Sequence, residues 1–314
     1  MPKRMSEAGI GRRLRFRDLQ VFFTVVHCGG MAKAAAELGV TQPSVSETIA
    51  ELERIFGVRL FDRNPQGVIP TIYGRAVLKR GLAAYDELKQ GLRDIEFLAD
   101  PTRGEVRIGC PESIVSAILP AMVQRFCRDY PGIALDIAAT PTATLELSDL
   151  HARKLDVVLA RLARPQADDH FGDDLTVEML FQDEAVVAAG ANSRWARRRR
   201  IDLAELVDKP WIATPRQTLG TMLLEQAFQA SNLPIPKYRV TTFSVQLRTH
   251  LLATGDFLTV IPRSMLRLNA AKELPIKLPT PGLPVAIVTL KNRTLSPAVD
   301  LFLERLRTYV KSMA

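Results

Sequence analysis

The stretch MAKAAAELGVTQPSVSETIAELERIF, residues 31–56, decides how the rest of the chain is read. Met31, Ala34, Ala35 and Leu38 fall at i, i+3, i+4 and i+7, which gives a short helix one apolar face lined with small side chains. Gly39 lets the chain turn, Thr41 is placed to cap a second helix, and Pro43 sits in its first turn, where a missing N–H costs nothing. That second helix carries Val45, Ile49, Leu52 and Phe56 on one side; the other side presents Pro43, Glu47, Ala50 and Arg54, flanked by Ser44 and Ser46. Two helices joined by a tight turn, with small polar groups at the exposed N-terminal end of the second, suit a DNA major groove. A helical hairpin inside an all-α core has the same periodicity, so the neighbouring residues must arbitrate.

They do so immediately. Residues 57–71, GVRLFDRNPQGVIPT, read as two short strands around an Asn64-Pro65-Gln66-Gly67 turn, a wing with Arg59 and Arg63 beside it. The run AAAELGVTQPSVSETIAELERIFGVRLFDR resembles the winged helix-turn-helix of LysR-type transcriptional regulators in the spacing of Ala34-Ala35, Gln42-Pro43, Ser46, Leu52-Glu53, Gly57 and Leu60-Phe61-x-Arg63. The resemblance implies DNA contacts at Gln42, Pro43 and Ser46, with Arg63 near phosphates; Ser44, Glu47 and Arg54 complete the exposed face. A Gln amide can pair bidentately with adenine, and a Ser hydroxyl donates or accepts. Two positions depart from the family pattern: Glu47 stands where a basic residue is frequent, and Gln66 occupies a wing tip where some members place arginine. Both bear on the target sequence.

Net charge is +8 with pI ≈ 9.6, which favours a polyanionic partner. The positive excess is spread along the chain, so the DNA reading rests on the motif. Lys3, Arg4, Arg12, Arg13, Arg15 and Arg17 make a basic arm, its flexible part over residues 1–14, either following phosphates or simply solvated. Hydrophobic residues make up 47% and charged residues 24%, the composition of a globular chain. No apolar run reaches the ~20 residues a membrane crossing needs, and the N-terminus lacks the apolar core of a signal peptide, so a cytoplasmic protein without membrane contact is expected. Cys28, Cys110 and Cys127 form no CxxC pair, and His27, His151, His170 and His250 show no metal-ligand spacing, so no disulfide framework, metal or other cofactor is expected.

The expected architecture is α/β with an N-terminal, mainly α, winged helix-turn-helix over 15–70. Its first helix, 17–27, carries Leu19, Phe22, Phe23 and Val26 on one face. Residues 71–99 contain no proline and carry Leu78, Leu82, Tyr85, Leu88, Leu92 and Ile95 along one side. At 1.5 Å per residue this helix projects some ~40 Å, more than one small core can cover, so it should pair with a second copy. The resembled family uses this linker as its dimer seam. After a boundary at 100–104, strand and helix alternate, which specifies a parallel sheet with helices on its faces. Expected strands are 105–110, 133–140, 155–162, 184–189, 211–214, 238–243, 258–262 and 285–290; expected helices include 113–130, 142–154, 202–208, 219–232, 245–254 and 297–311. Residues 103–314 would form two Rossmann-like lobes, lobe one from 103–162 and 283–314 and lobe two from about 184–274. This is similar to the family's effector domain, itself built like a periplasmic solute-binding protein.

In such sheets ligands sit beyond the carboxyl ends of the strands. The candidates there are Ser113, Thr140, Thr142 and Arg161 in lobe one, and Thr214, Arg216, Thr218 and Ser244 in lobe two. Hydroxyls and two arginines favour an anion, most naturally a carboxylate, whereas Glu112 argues the other way. Ser113 could equally cap its helix. Arg197 to Arg200, with Arg194 and Trp195, reads as a solvated surface or subunit contact, and Cys110 raises the question of a redox sensor. No GxSxG, HExxH or phosphate-binding loop occurs, and no base is marked for Cys110 or Ser113, so an enzyme is not expected. The resulting expectation is a DNA-binding transcriptional regulator that reads an inverted-repeat operator in double-stranded DNA. It would be a homodimer paired into a homotetramer, be modulated by a small-molecule effector between the lobes, and have RNA polymerase as a further partner. The competing reading is a cytoplasmic solute-binding module without DNA function.

Overall fold

The computed structural model describes residues 13–64, 67–140, 147–162, 174–215, 218–268, 271–278 and 282–312. Its contacts divide the chain into two compact units, Met1–Leu92 and Arg93–Ala314.

The first unit starts with three helices, α1 (Phe16–Cys28), α2 (Met31–Leu38) and α3 (Gln42–Phe56). Each contributes one apolar stripe to a shared core: Phe22 and Val25 from α1, Ala34 and Ala35 from α2, and Val45, Ile49 and Leu52 from α3. Small alanines let α2 approach closely, and Gly39 at φ +66° makes the sharp turn between α2 and α3. Strands β1 (Phe61–Asn64) and β2 (Gly67–Pro70) pair antiparallel, with Arg63 opposite Val68. Glu53 of α3 anchors this wing, its Oε1 accepting from the Leu60 and Phe61 N–H groups at 2.7 and 3.3 Å. Helix α4 (Ile72–Ala99) follows, capped by Thr71, whose hydroxyl accepts from Gly74 N–H at 3.0 Å. At Gly74 the helix meets the wing so closely that a Cβ would lie 2.1 Å from the Leu60 carbonyl oxygen.

The second unit holds two five-stranded sheets. Lobe one contains β3 (Arg103–Cys110), α5 (Glu112–Ala117), α6 (Leu119–Asp129), β4 (Gly132–Ala139), α7 (Ser148–His151), β5 (Val157–Arg161) and β6 (Leu175–Asp183). Lobe two contains β7 (Ala185–Gly190), β8 (Trp211–Ala213), α8 (Leu219–Ala230), β9 (Tyr238–Thr241), α9 (Val245–Ala253), β10 (Leu258–Pro262) and β11 (Ala271–Glu273). The chain then returns to lobe one as β12 (Leu283–Leu290) and α10 (Pro297–Lys311). Strand order is β4-β3-β5-β12-β6 in lobe one and β11-β7-β10-β8-β9 in lobe two. Ile108, Leu159 and Ile287 of the first sheet pack with Phe126 and Phe302 of its helices; Trp211 and Phe228 centre the second core.

Three expectations need correction. The sheets are mixed rather than parallel: β12 runs antiparallel to β5 and β6, and β7 antiparallel to β10 and β11. The reason is topological, since β7, which carries the chain into lobe two, and β12, which brings it back into lobe one, each enter their sheet from the opposite end. Strand β6, which runs the same way as β5, lies in a crossing segment that the sequence reading left without a strand. The helix expected over 113–130 is two, because Pro120 lacks the N–H that a continuous helix would use and starts a new helix instead. Of the helix expected over 142–154, residues 141–146 lie outside the described residues and only Ser148–His151 is helical.

Candidate nucleic-acid interface and ligand cleft

Helix α3 separates its two faces as its periodicity requires. Val45, Ile49 and Leu52 are buried, whereas Gln42, Pro43, Ser44, Glu47 and Arg54 are exposed. Thr41 caps the helix, its Oγ1 accepting from Ser44 N–H at 3.4 Å. The positive end of the helix dipole therefore points outward together with Gln42 and Ser44, a geometry that receives phosphate oxygens and base edges. Ser46 is only half-buried, and its hydroxyl donates to Met31 Sδ at 3.3 Å. Arg54 is engaged by Glu51, with Nε donating to Oε2 at 2.7 Å, so its charge is compensated within the helix. The sequence reading did not see that pairing, although the i, i+3 spacing was there to be read. The Arg63 backbone pairs in the wing; its side chain, like Gln66 and residues 1–12 of the basic arm, lies outside the described residues.

In the second unit, the predicted cleft residues form separate clusters. Arg161, at the end of β5, donates from Nε to Ser113 Oγ at 3.1 Å, from Nη1 to Asp183 Oδ2 at 2.8 Å and from Nη2 to Ser264 Oγ at 3.2 Å. Ser264 in turn donates to Asp183 Oδ2 at 2.6 Å. Asp183 ends β6 in lobe one and Ser264 follows β10 in lobe two, so this network spans the two lobes where the chain crosses. Burial pushes the Arg161 pKa down from its ordinary value while Asp183 opposes that shift. The guanidinium is thus committed to protein partners. Ser113 does not cap its helix: the cap position is Pro111, and the Ser113 hydroxyl faces Arg161 instead.

Thr214 and Thr218 meet at the start of α8, together with Thr221, which the sequence reading missed; Thr218 also donates to the Pro215 carbonyl at 2.7 Å. Ser244 caps α9, its Oγ accepting from Leu247 N–H at 3.2 Å. Beside it, Glu112 of lobe one reaches across and accepts from the Val245 N–H at 3.0 Å, seating a carboxylate on the first turn of α9. Thr140 closes β4, its hydroxyl donating to the Ala138 carbonyl at 3.3 Å. Thr142 and Arg216 lie outside the described residues.

Other candidates recede on their geometry. Cys110 is fully buried, and burial pushes its thiol up to about 12, which disfavours the thiolate that a redox sensor uses. Arg194 and Arg198 lie over the Trp195 ring at 4.9 and 5.6 Å, and Arg198 pairs with Glu205, so the arginine run is partly folded onto its own lobe. Among the described residues no cluster of His, Cys, Asp or Glu could hold a metal, and no helix is long and apolar enough to cross a membrane.

Comparison with known proteins agrees with both halves of this geometry. Residues 16–75 match the family model "Bacterial regulatory helix-turn-helix protein, lysR family", and residues 99–311 match "LysR substrate binding domain". The HTH-type transcriptional regulator TdcA of Escherichia coli (strain K12) is 28% identical over 297 residues, covering 93% of this chain and 92% of TdcA. The fold is similar to that of a full-length OxyR variant from Pseudomonas aeruginosa, with a TM-score of 0.64 and 21% identity over 95% of each chain. It is also similar to CbnR complexed with its target DNA, with a TM-score of 0.52 and 19% identity over 95% of this chain and 100% of that one. The two family models between them take in nearly the whole described structure, and the chain belongs to the LysR family of DNA-binding transcriptional regulators.

Proposed function

We propose that residues 15–70 read one half of an inverted-repeat operator, that 71–99 pair two copies into a homodimer, and that residues 103–314 bind a small carboxylate between their lobes. Two such dimers form a homotetramer in this reading, and the ligand acts by favouring one lobe arrangement over another. The protein works in the cytoplasm as a regulator, without catalysis of its own. The observation that carries the DNA assignment is the exposed N-terminal end of α3, where Gln42, Pro43 and Ser44 stand opposite the buried Val45, Ile49 and Leu52. The dimer assignment is supported by the apolar side chains that α4 leaves in solvent, among them Leu88, Leu92, Ile95 and Leu98. Gln42→Ala should weaken binding to a cognate operator, selected from random duplexes by the wild-type protein, by ~1–3 kcal/mol while leaving low-salt binding to random duplex nearly intact. Equal losses on both would show that Gln42 does not read bases.

A further inference from the structure

Helix α9 carries a second buried arginine, of opposite character to Arg161. Arg248 lies on α9 one turn after Val245, in the stripe Val245, Arg248, Leu252 that this helix buries. It is 7% exposed, its Nε has no hydrogen-bond partner, and it enters no ion pair among the described residues. The acid that acts on it electrostatically is Glu112 of lobe one, whose carboxylate is already seated on the Val245 N–H at 3.0 Å. Burial lowers the Arg248 pKa from its ordinary value, and Glu112 opposes that shift only in part, as expected for a charge removed from water with incomplete compensation. A guanidinium in that condition is destabilising by itself, since ion burial is offset only when a partner of opposite charge arrives with good geometry. Arg161, buried nearby with Asp183, Ser113 and Ser264 around it, shows how the same fold compensates a structural arginine.

We propose that Arg248 is the receptor for the effector's carboxylate, and that Glu112 holds the ligand's place until it arrives. The proposal rests on the reading that a small molecule binds between the lobes. An incoming carboxylate replaces Glu112 on the α9 N-terminus, accepts from the Val245 N–H and pairs with Arg248 in a forked hydrogen-bonded contact. Glu112 belongs to α5 and Val245 to α9, so the exchange releases a bond that ties lobe one to lobe two. Binding and lobe rearrangement are then the same event.

The test is thermal unfolding of the full chain and its Arg248→Met and Glu112→Gln variants at constant ionic strength. The probes are sodium formate, succinate and benzoate, with benzamide as the neutral control. Without any probe, Arg248→Met should melt at or above the wild type, because an incompletely compensated buried charge has been removed. The carboxylates should raise the melting temperature of the wild type and leave Arg248→Met unmoved. Glu112→Gln, which weakens the resident occupant and keeps Arg248, should gain about tenfold in apparent carboxylate affinity. A lower melting temperature for ligand-free Arg248→Met, carboxylate shifts of equal size in wild type and Arg248→Met, or no carboxylate shift in the wild type would each overturn the assignment. A neutral ligand that stabilises wild type and Arg248→Met alike would overturn the anion class yet leave an effector site between the lobes standing.

Discussion

Replacing Leu92 by Asp tests the link between α4 and DNA binding most directly. Leu88, Leu92, Ile95 and Leu98 are 50, 62, 65 and 78% exposed, and their spacing of four and three residues keeps them on one side of the helix. Complete burial of a leucine side chain contributes ~1.5–3 kcal/mol, so the 62% that Leu92 still shows to water corresponds to roughly 1–2 kcal/mol per copy. In the proposed dimer a twofold axis brings two copies into the seam, which gives ~2–4 kcal/mol per dimer. Leu92→Asp removes that contribution and places two carboxylates across the axis. The dimer dissociation constant should therefore rise about 30- to 1,000-fold. Sedimentation velocity from nanomolar to micromolar protein would measure it, alongside operator retention, which should fall because a monomer engages one half-site. Circular dichroism would establish that the variant is folded. A folded Leu92→Asp protein that sediments with the wild type and holds the operator equally well would refute the reasoning.

Three further outcomes follow from the geometry. Gly74→Ala would place a Cβ 2.1 Å from the Leu60 carbonyl oxygen, a backbone atom with little room to give, and should destabilise the N-terminal unit by ~1–3 kcal/mol in urea unfolding; unchanged stability would mean that α4 and the wing do not approach this closely. Asp156 is 1% exposed and accepts from Arg107 at 2.7 Å, from Arg293 at 2.9 Å and from Arg93 of α4 at 3.5 Å, so Asp156→Asn should cost ~3–5 kcal/mol in the C-terminal unit. Burial alone would raise the Asp156 pKa, but Arg107 and Arg293 outweigh it and hold the carboxyl below its ordinary value; its contribution is thus present above pH ~4 and lost as pH falls through the lower folded value, a dependence that Asp156→Asn should remove from acid unfolding curves. With a disulfide thiol reagent at pH 8, exposed Cys127 should react first, Cys28 more slowly because its thiol donates to Glu37 at 2.9 Å and is pushed up, and Cys110 only on unfolding; prompt labelling of Cys110 would reopen a redox role.

What could be read from the sequence depended on how far apart the determining residues lie. The helix-turn-helix was legible because its signals are local: Gly39, Thr41, Pro43 and the 4-3-4 spacing of Val45, Ile49, Leu52 and Phe56 all fall within a few turns of one another. Pro297–Lys311 was readable at both ends for the same reason, with proline in the first turn and Leu301, Phe302 and Leu306 on one face. Strand β6 was not, because what makes Leu175–Asp183 a strand is its pairing with Leu283–Leu290, distant in sequence, and its own residues alternate only weakly.

The contacts between the lobes show the same rule applied to charge. Arg161 was recognisable as a cation at the end of a strand, but its role depends on what neutralises it. Ser113, Asp183 and Ser264 come from three separate segments that only the folded chain assembles. Arg248 lies within the helix expected over 245–254 and was not singled out in the sequence. Folding turns α9 so that this residue is buried with its Nε unpaired, while the neighbouring Val245 N–H takes Glu112 from the other lobe. Both arginines carry the same formal charge, yet one is held by the protein and the other is left for something outside it. The distinction between structural and ligand-binding cations is therefore made by tertiary compensation, which residue type and spacing do not encode.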